Sequence, residues 1–451
     1  MTSGLFALIV IFLVIAGAVI TRKVELCLVL GSFACCIYMY QANFMTEWCS
    51  SLVEMLAENI GVFLIILAFG ALIALLQDAR GSYGFSNLAV KYCNNESKTL
   101  FTTFLMGILI FADDYLNVLS IGACMKDIYD KRKIPRETLA FMLDATGTPV
   151  CVLIPFSTWA IFYANMFFKE DCIKAAGFKS GFDAYVHAIP YCIYPIVVLI
   201  LVVLFAAGVL PKLGAMKKAY ERVAETGKVY SDYSKKYNHE SDGDYVEEGK
   251  LYDFLIPMLV LIVAAIMLGD MFPAIIISIV VCAVMYIPRK VISLDDFLPI
   301  ATRGIADMLP VTILTMLAFL NGAIMDKMHL TEYIIGLTKP MLSASFFPVV
   351  TFVLISALCF CTASLWGMIA IIIPIIFPLA GILGANPLLI MAAAISGGAF
   401  GSHACFYCDA TLLSSNSAGI DSMEHAVTQL PYVIIASVIS LIFFTVTGFI
   451  M

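Results

Sequence analysis

The sequence predicts an all-α integral membrane protein built from two inverted repeats, each of about five transmembrane helices plus one re-entrant hairpin, with broken helices at the centre. Three observations predict it: an apolar composition, a self-similarity at an offset of 250 residues, and an uneven placement of lysine and arginine. The chain has 451 residues, 62% hydrophobic and 13% charged, against roughly 45–50% apolar and 25% charged for a soluble domain. Apolar runs at 4–20, 60–76, 188–210, 251–269 and 429–451 match the roughly 20 residues that cross a bilayer core as a helix. Backbone groups in lipid must be paired internally, and runs this long and uniform suit helices rather than barrel strands.

The first run has no basic residue ahead of it and is followed by Thr21-Arg22-Lys23 instead of a small-residue cleavage site, so it reads as a first span. Residues 1–210 form a first membrane repeat and 251–451 a second. Between them, 211–250 is a cytoplasmic hydrophilic linker with Lys212, Lys217, Lys218 and Arg222 near its start and Asp242, Asp244, Glu247 and Glu248 near its end. An offset of 250 lays LAFGALIALL (67–76) over LAFLNGAIMD (317–326), ADDYLN (112–117) over TASLWG (362–367) and PFSTWA (155–160) over CFYCDA (405–410). At an offset of 241, VHAIPY (186–191) meets VTQLPY (427–432).

Loop charge sets orientation. Arg22-Lys23, Arg80 to Lys98, Lys126 to Arg136, the linker and Arg289 to Arg303 are basic, whereas 41–58 and 376–387, read as loops, carry no Lys or Arg. Equivalent loops of opposite character imply halves of opposite orientation. The basic flanks of 100–125 place both its ends in the cytoplasm, so this segment enters and returns as a hairpin, interrupted at Asp113-Asp114. Its counterpart, 346–375, has Thr362-Ala363-Ser364 at the tip.

An acid at the centre of a bilayer costs at least about 2.5–3.5 kcal/mol and normally faces a cavity or a partner. Adjacent carboxylates raise each other's proton affinity and also suit hard cations, so Asp113, Asp114 and nearby Asn117 can exchange a proton for a cation. The bland alternative is a hairpin end in water where an acid caps a helix. Asp144 is a second intramembrane acid; Thr146, Gly147, Thr148, Pro149 and Pro155 follow, so the span breaks and frees carbonyls for an ion. A cytoplasmic cap is its bland reading. In the second half, 395–419 reads as the matching broken span, with Gly397, Gly398 and Gly401 relaxing the helix. His403, Asp409, Thr411, Ser414, Ser415 and Asn416 bring polar groups there, and Ser157 and Thr158 do so in the first half. His403 suits a proton carrier or an interhelical hydrogen bond. His187, His239, His329 and His425 read as loop or span-end residues. The fourteen cysteines, including Cys35, Cys36, Cys151 and Cys359, lie mostly in apolar segments as packed thiols, and Cys405-x-x-Cys408 lacks a second ligand pair.

These residues carry a resemblance. FADDYLNVLSIGACMKDIYDKRKIPRETLAFMLDATGTPVCVLIP (111–155), SLWGMIAIIIPIIFPLA (364–380) and HAVTQLPY (425–432) are similar to motifs of the NhaC-type Na+/H+ antiporter family, over about 330 residues from the first hairpin onward. The resemblance implies a secondary transporter with no enzymatic activity and no cofactor, whose partners are Na+ and H+ within the lipid bilayer of the cell inner (plasma) membrane. It implies Na+ at Asp113, Asp114, Asp144 and Asp409. The family's G-D-H-x-S-P-I-S-D-T-T stands here as Gly401-Ser402-His403-Ala404-Cys405-Phe406-Tyr407-Cys408-Asp409-Ala410-Thr411, poorer by a carboxylate, two serines and a proline. Relatives in the wider family exchange organic anions such as malate and lactate, so a small organic anion or amino acid is the alternative substrate. It would stack near Phe406, Tyr407 and Trp366, with Thr362, Ser364 and Ser414–Asn416 alongside. A homodimer is open to such a chain. Nucleic acid is not an implied partner. An intramembrane aspartyl protease needs acids on two spans with a G-x-G-D signature, which is absent, and inverted repeats with broken helices argue against a channel.

Overall fold

The computed structural model describes residues 3–21, 23–79, 92–111, 114–155, 157–238, 250–268, 271–330, 332–333, 336, 343–363 and 365–451. Helices α1 (Ser3–Thr21), α2 (Val24–Tyr40) and the 35-residue α3 (Phe44–Asp78) open the chain. They are followed by α4 (Glu96–Leu109), α5 (Asp114–Lys131), α6 (Arg136–Thr146), α7 (Thr148–Cys151), α8 (Thr158–Phe167), α9 (Asp171–Ala175), α10 (Gly181–Ala188) and α11 (Ile193–Ala206). Helix α12 (Gly214–Thr226) lies in the linker. The second half runs α13 (Leu251–Leu268), α14 (Met271–Tyr286), α15 (Leu294–Lys327), α16 (Phe347–Thr362), α17 (Leu365–Leu383), α18 (Pro387–Ala404), α19 (Asp409–Ala418) and α20 (Ser422–Ile450).

The chain is a multi-pass membrane protein. Among the described residues three stretches are long and apolar enough to cross a bilayer, within Glu25–Asp78, Pro387–Ala404 and Ser422–Ile450. A fourth appears if Gly181–Tyr191 and Ile193–Ala206, bent by 52°, are one span. Large apolar side chains such as Leu13, Leu26, Val284, Ile442 and Phe449 stand exposed on helices that are apolar all round, which is the surface lipid requires. Helix α18 lies at the opposite extreme, almost wholly buried.

Helices of the two halves recur in the same order. The starts of α1, α2, α3, α4, α5, α6 and α8 precede those of α13 to α19 by 247 to 251 residues. The long pair α3 and α15 runs antiparallel: Asp78 at the end of α3 meets Arg303 near the start of α15 at 2.5 Å, and Glu54 meets Lys327 at the far end at 2.7 Å. Gly70 and Gly304 let the two backbones touch, since a Cβ on Gly70 would lie 2.3 Å from the Gly304 carbonyl oxygen.

Two expectations need correction. Residues 41–58 and 376–387 are mostly helix, because 44–58 open α3 and α17 continues to Leu383. Lack of Lys and Arg does not end a helix; the turn at Gly384, with φ of +67°, does. At about 1.5 Å per residue, α3 is about 52 Å long and outreaches the apolar core of a bilayer. Secondly, Gly397, Gly398 and Gly401 do not relax α18. They allow close packing, against the Phe352 carbonyl, the Tyr163 hydroxyl and Cys359.

Candidate functional site

Four interruptions set the site. Helix α4 ends at Leu109 and α5 begins at Asp114. Asn117, fully buried, donates both amide hydrogens back across that break, to Gly107 O at 2.7 Å and Ile110 O at 2.9 Å. Helix α6 stops at Thr146 because Gly147 departs from helical geometry at ψ −102°, and Pro149 opens α7. Helix α8 restarts under a Ser157 cap, whose hydroxyl accepts from Ala160 N at 3.0 Å. Helix α18 stops at Ala404, and a turn at Phe406-Tyr407 between extended Cys405 and Cys408 leads to Asp409 at the start of α19. Helix α16 ends at Thr362, where Ala363 turns with φ of +54°.

Three carboxylates stand at these breaks. Asp114, 5% exposed, accepts from its neighbour Tyr115 N at 3.2 Å through Oδ1 and from Thr148 Oγ1 at 2.9 Å through Oδ2. The Thr148 hydroxyl lies 3.1 Å from Ser402 Oγ, so the first half meets α18 here. Asp409 accepts from Ala410 N at 2.8 Å and, at its other oxygen, from the Tyr115 hydroxyl. Two helix N-termini therefore face each other through Tyr115, each with a carboxylate at the positive end of a helix dipole.

Asp144 is 1% exposed and makes the densest set of contacts. Its Oδ2 accepts from His425 Nε2 at 2.9 Å and from Gln429 Nε2 at 2.9 Å, with Thr411 Oγ1 at 3.4 Å. The Thr411 hydroxyl lies closer to Cys405 O, at 2.8 Å. Gln429 uses its second amide hydrogen on His403 O at 2.7 Å, and His403 Nδ1 pairs with the Tyr194 hydroxyl at 2.9 Å. Among the described residues Asp144 Oδ1, His425 Nδ1, His403 Nε2, Gln429 Oε1 and Asn117 Oδ1 are buried with no hydrogen-bond partner. Such atoms are costly to leave dry, and the Asp144, Gln429 and Asn117 oxygens offer lone pairs to a proton or a cation.

The structure thus gathers Asp114, Asp144, Asp409, Thr411 and His403. His425 extends the sequence reading: it stands at a span end, in the first turn of α20, yet it is fully buried and bound to Asp144. Gln429 and Tyr115 were also missed; His425 and Gln429 stand four residues apart on one helix face, a signal available in HAVTQLPY. Other predicted residues make contacts of their own. Thr146 bonds to Met142 O and packs on Gly107, Ser157 binds Cys151 O, and Thr362 bonds to Leu358 O. Tyr407 donates to Cys361 O at 3.0 Å, and Phe406 packs edge-on to Phe360. Ser414 is buried, Ser415 bonds to Leu412 O, and Asn416 reaches Met308 Sδ. Asp113 and Ser364 lie outside the described residues, as do the side chains of Thr158 and Trp366. Among the described residues no three of His, Cys, Asp and Glu converge as metal ligands; each carboxylate is held by its own donors.

A model of the Na+/H+ antiporter family matches residues 167–449, a stretch that takes in His403, Asp409, His425 and Gln429 and leaves the first hairpin outside. An uncharacterized protein of Haemophilus influenzae is 24% identical over 491 residues, covering 99% of this chain and 92% of that protein.

Proposed function

The chain belongs to the Na+/H+ antiporter family, and from that premise we propose that it is a secondary active antiporter that exchanges Na+ for H+ at its buried carboxylates by alternating access. One observation carries the reading: Asp144 of the first half is held by His425, Gln429 and Thr411 of the second, beside two helix breaks. An empty carboxylate at membrane depth is expensive, so the site changes sides only when a cation or a proton neutralises it. Exchange follows from that restriction. Asp114 and Asp409, with the Thr148 and Thr411 hydroxyls, supply hard oxygen donors for Na+, and Asp144 with His425 holds the proton.

The reading includes the architecture. Recurrence of helix order and the antiparallel run of the corresponding helices α3 and α15 support two inverted repeats of five spans and one re-entrant hairpin each, α4–α5 and α16–α17 being the hairpins. The second reading, an organic solute stacked on Phe406, Tyr407 and Trp366, is less supported, because Phe406 and Tyr407 are occupied in packing against α16.

Proteoliposomes with an imposed pH gradient test the proposal. Added Na+ should collapse the gradient, and no metabolite should raise the melting temperature. Failure of Na+, K+ and Li+ alike, with stabilisation by a carboxylate or amino acid, would overturn it in favour of the organic solute.

A further inference from the structure

The linker is fastened to the two helices whose side chains meet at Asp144 and His425. On α6, the Arg222 guanidinium grips Glu137 with both nitrogens, at 2.6 and 2.9 Å, and Glu137 is 2% exposed. Arg136 N donates to Val229 O at 2.9 Å, while its guanidinium binds Asp130 and Asn238 and lies over the Tyr230 ring. On the α19–α20 side, the buried Ser234 hydroxyl donates to Glu424 at 2.6 Å and accepts from Asp421 N at 2.9 Å. Asn238 donates to Gly419 O at 2.8 Å.

The anchors are close in sequence to the site. Glu137 precedes Asp144 by two helical turns, about 10 Å, and Glu424 is the neighbour of His425. Tilting α6 from α20 at this end would part Asp144 from His425.

Detachment is easy by the nature of the contacts. Of its thirteen residues α12 buries only Met216, Ala219 and Val223; Leu213, Tyr220 and Tyr230 of the strap are half-buried against the core, and the two anchors are polar, with Arg222 22% exposed. Segments with few buried apolar contacts open locally far more often than the fold as a whole.

We propose that residues 211–238 are a strap that gates the linker side of the site, its anchors Arg222 on Glu137 and Ser234 on Glu424 holding α6 and α20 closed and releasing them for access to Asp144. What passes through the gate rests on the antiport reading; the strap itself does not, and hydrogen exchange in lipid nanodiscs tests it without transport. In the Arg222→Ala, Ser234→Ala double variant, amide exchange should rise about tenfold across residues 136–146 and 421–430, with α3 and α15 unchanged. A rise confined to 211–238 would overturn the gate. A second variant covers the case in which the first fails to fold: Ser234→Cys with Glu424→Cys, in a chain carrying Cys49→Ser. Its oxidised form should exchange about tenfold more slowly at 136–146 than its reduced form, and it should lose Na+-driven proton movement until reduced. Equal exchange in both forms, or full transport by the oxidised form, contradicts the proposal. Absence of transport in the wild type would count against antiport alone, leaving exchange to decide the gate.

Discussion

Asp144 and His425, 281 positions apart, share a 2.9 Å hydrogen bond from Nε2 to Oδ2 with both side chains closed to solvent. This bond joins the first half of the chain to the second at the depth where α6 is broken. Removing one partner of a buried hydrogen bond typically costs about 1–3 kcal/mol, and more for a carboxylate, because the survivor stays buried without its partner. His425→Ala should therefore lower the melting temperature sharply. Asp144→Asn combined with His425→Ala should cost clearly less than the two single changes added together. Additive losses would mean that the two residues act independently.

Tyr115 ties the first hairpin to α19 through the Asp409 carboxylate. A hydrogen bond to a charged group contributes about 1.5–3 kcal/mol, so Tyr115→Phe should raise the Na+ concentration for half-maximal exchange about tenfold or more. The ring is kept, so the loss of stability should be confined to that bond, about 1.5–3 kcal/mol. An unchanged half-saturation would remove Tyr115 from the cation site.

Gly419 ends α19 with φ of +69°, and a Cβ there would meet Asn238 Oδ1 at 2.7 Å and Arg136 Nη1 at 2.9 Å. Left-handed backbone costs a residue with a side chain about 1–3 kcal/mol, before any clash. Gly419→Ala should destabilise by at least that and loosen Asn238 of the linker. Thermal unfolding with hydrogen exchange at 230–238 checks both.

Asp421 caps α20 at the linker, its carboxylate accepting from Met423 N at 3.1 Å. Burial holds its carboxyl above the usual range; Lys236 opposes that shift and Glu424 adds to it. A raised carboxyl binds its proton more tightly in the folded chain than in the unfolded one. Its contribution to stability is thus full below the unfolded value, about 3.9, and is lost as pH rises through the raised value. Asp421→Asn keeps a capping oxygen and should remove that share of the pH dependence. A melting-temperature profile parallel to wild type would contradict it.

The first-half helix breaks were legible because polar and turn-forming residues stand where a span should be uniform, at Asp114 and at Gly147 with Pro149; the second-half break, between Ala404 and Asp409, falls within 395–419 but away from the glycines. The Gly397, Gly398 and Gly401 set was not, since close packing and helix interruption call for the same residue and only contacts tell them apart. Residues 41–58 and 376–387, without Lys or Arg, misled for a related reason, as basic charge reports on membrane sidedness and not on where a helix ends. His425 was hidden by its position at the edge of an apolar run. Its partner Asp144 lies in the other half, and no local pattern joins residues so far apart.

Exchange at buried carboxylates is tested most directly by Na+-driven proton movement in proteoliposomes, comparing wild type with Asp144→Asn. The wild type should release an imposed pH gradient on addition of Na+, and Asp144→Asn, reconstituted to the same level, should not. Full coupling in Asp144→Asn would contradict antiport at this site.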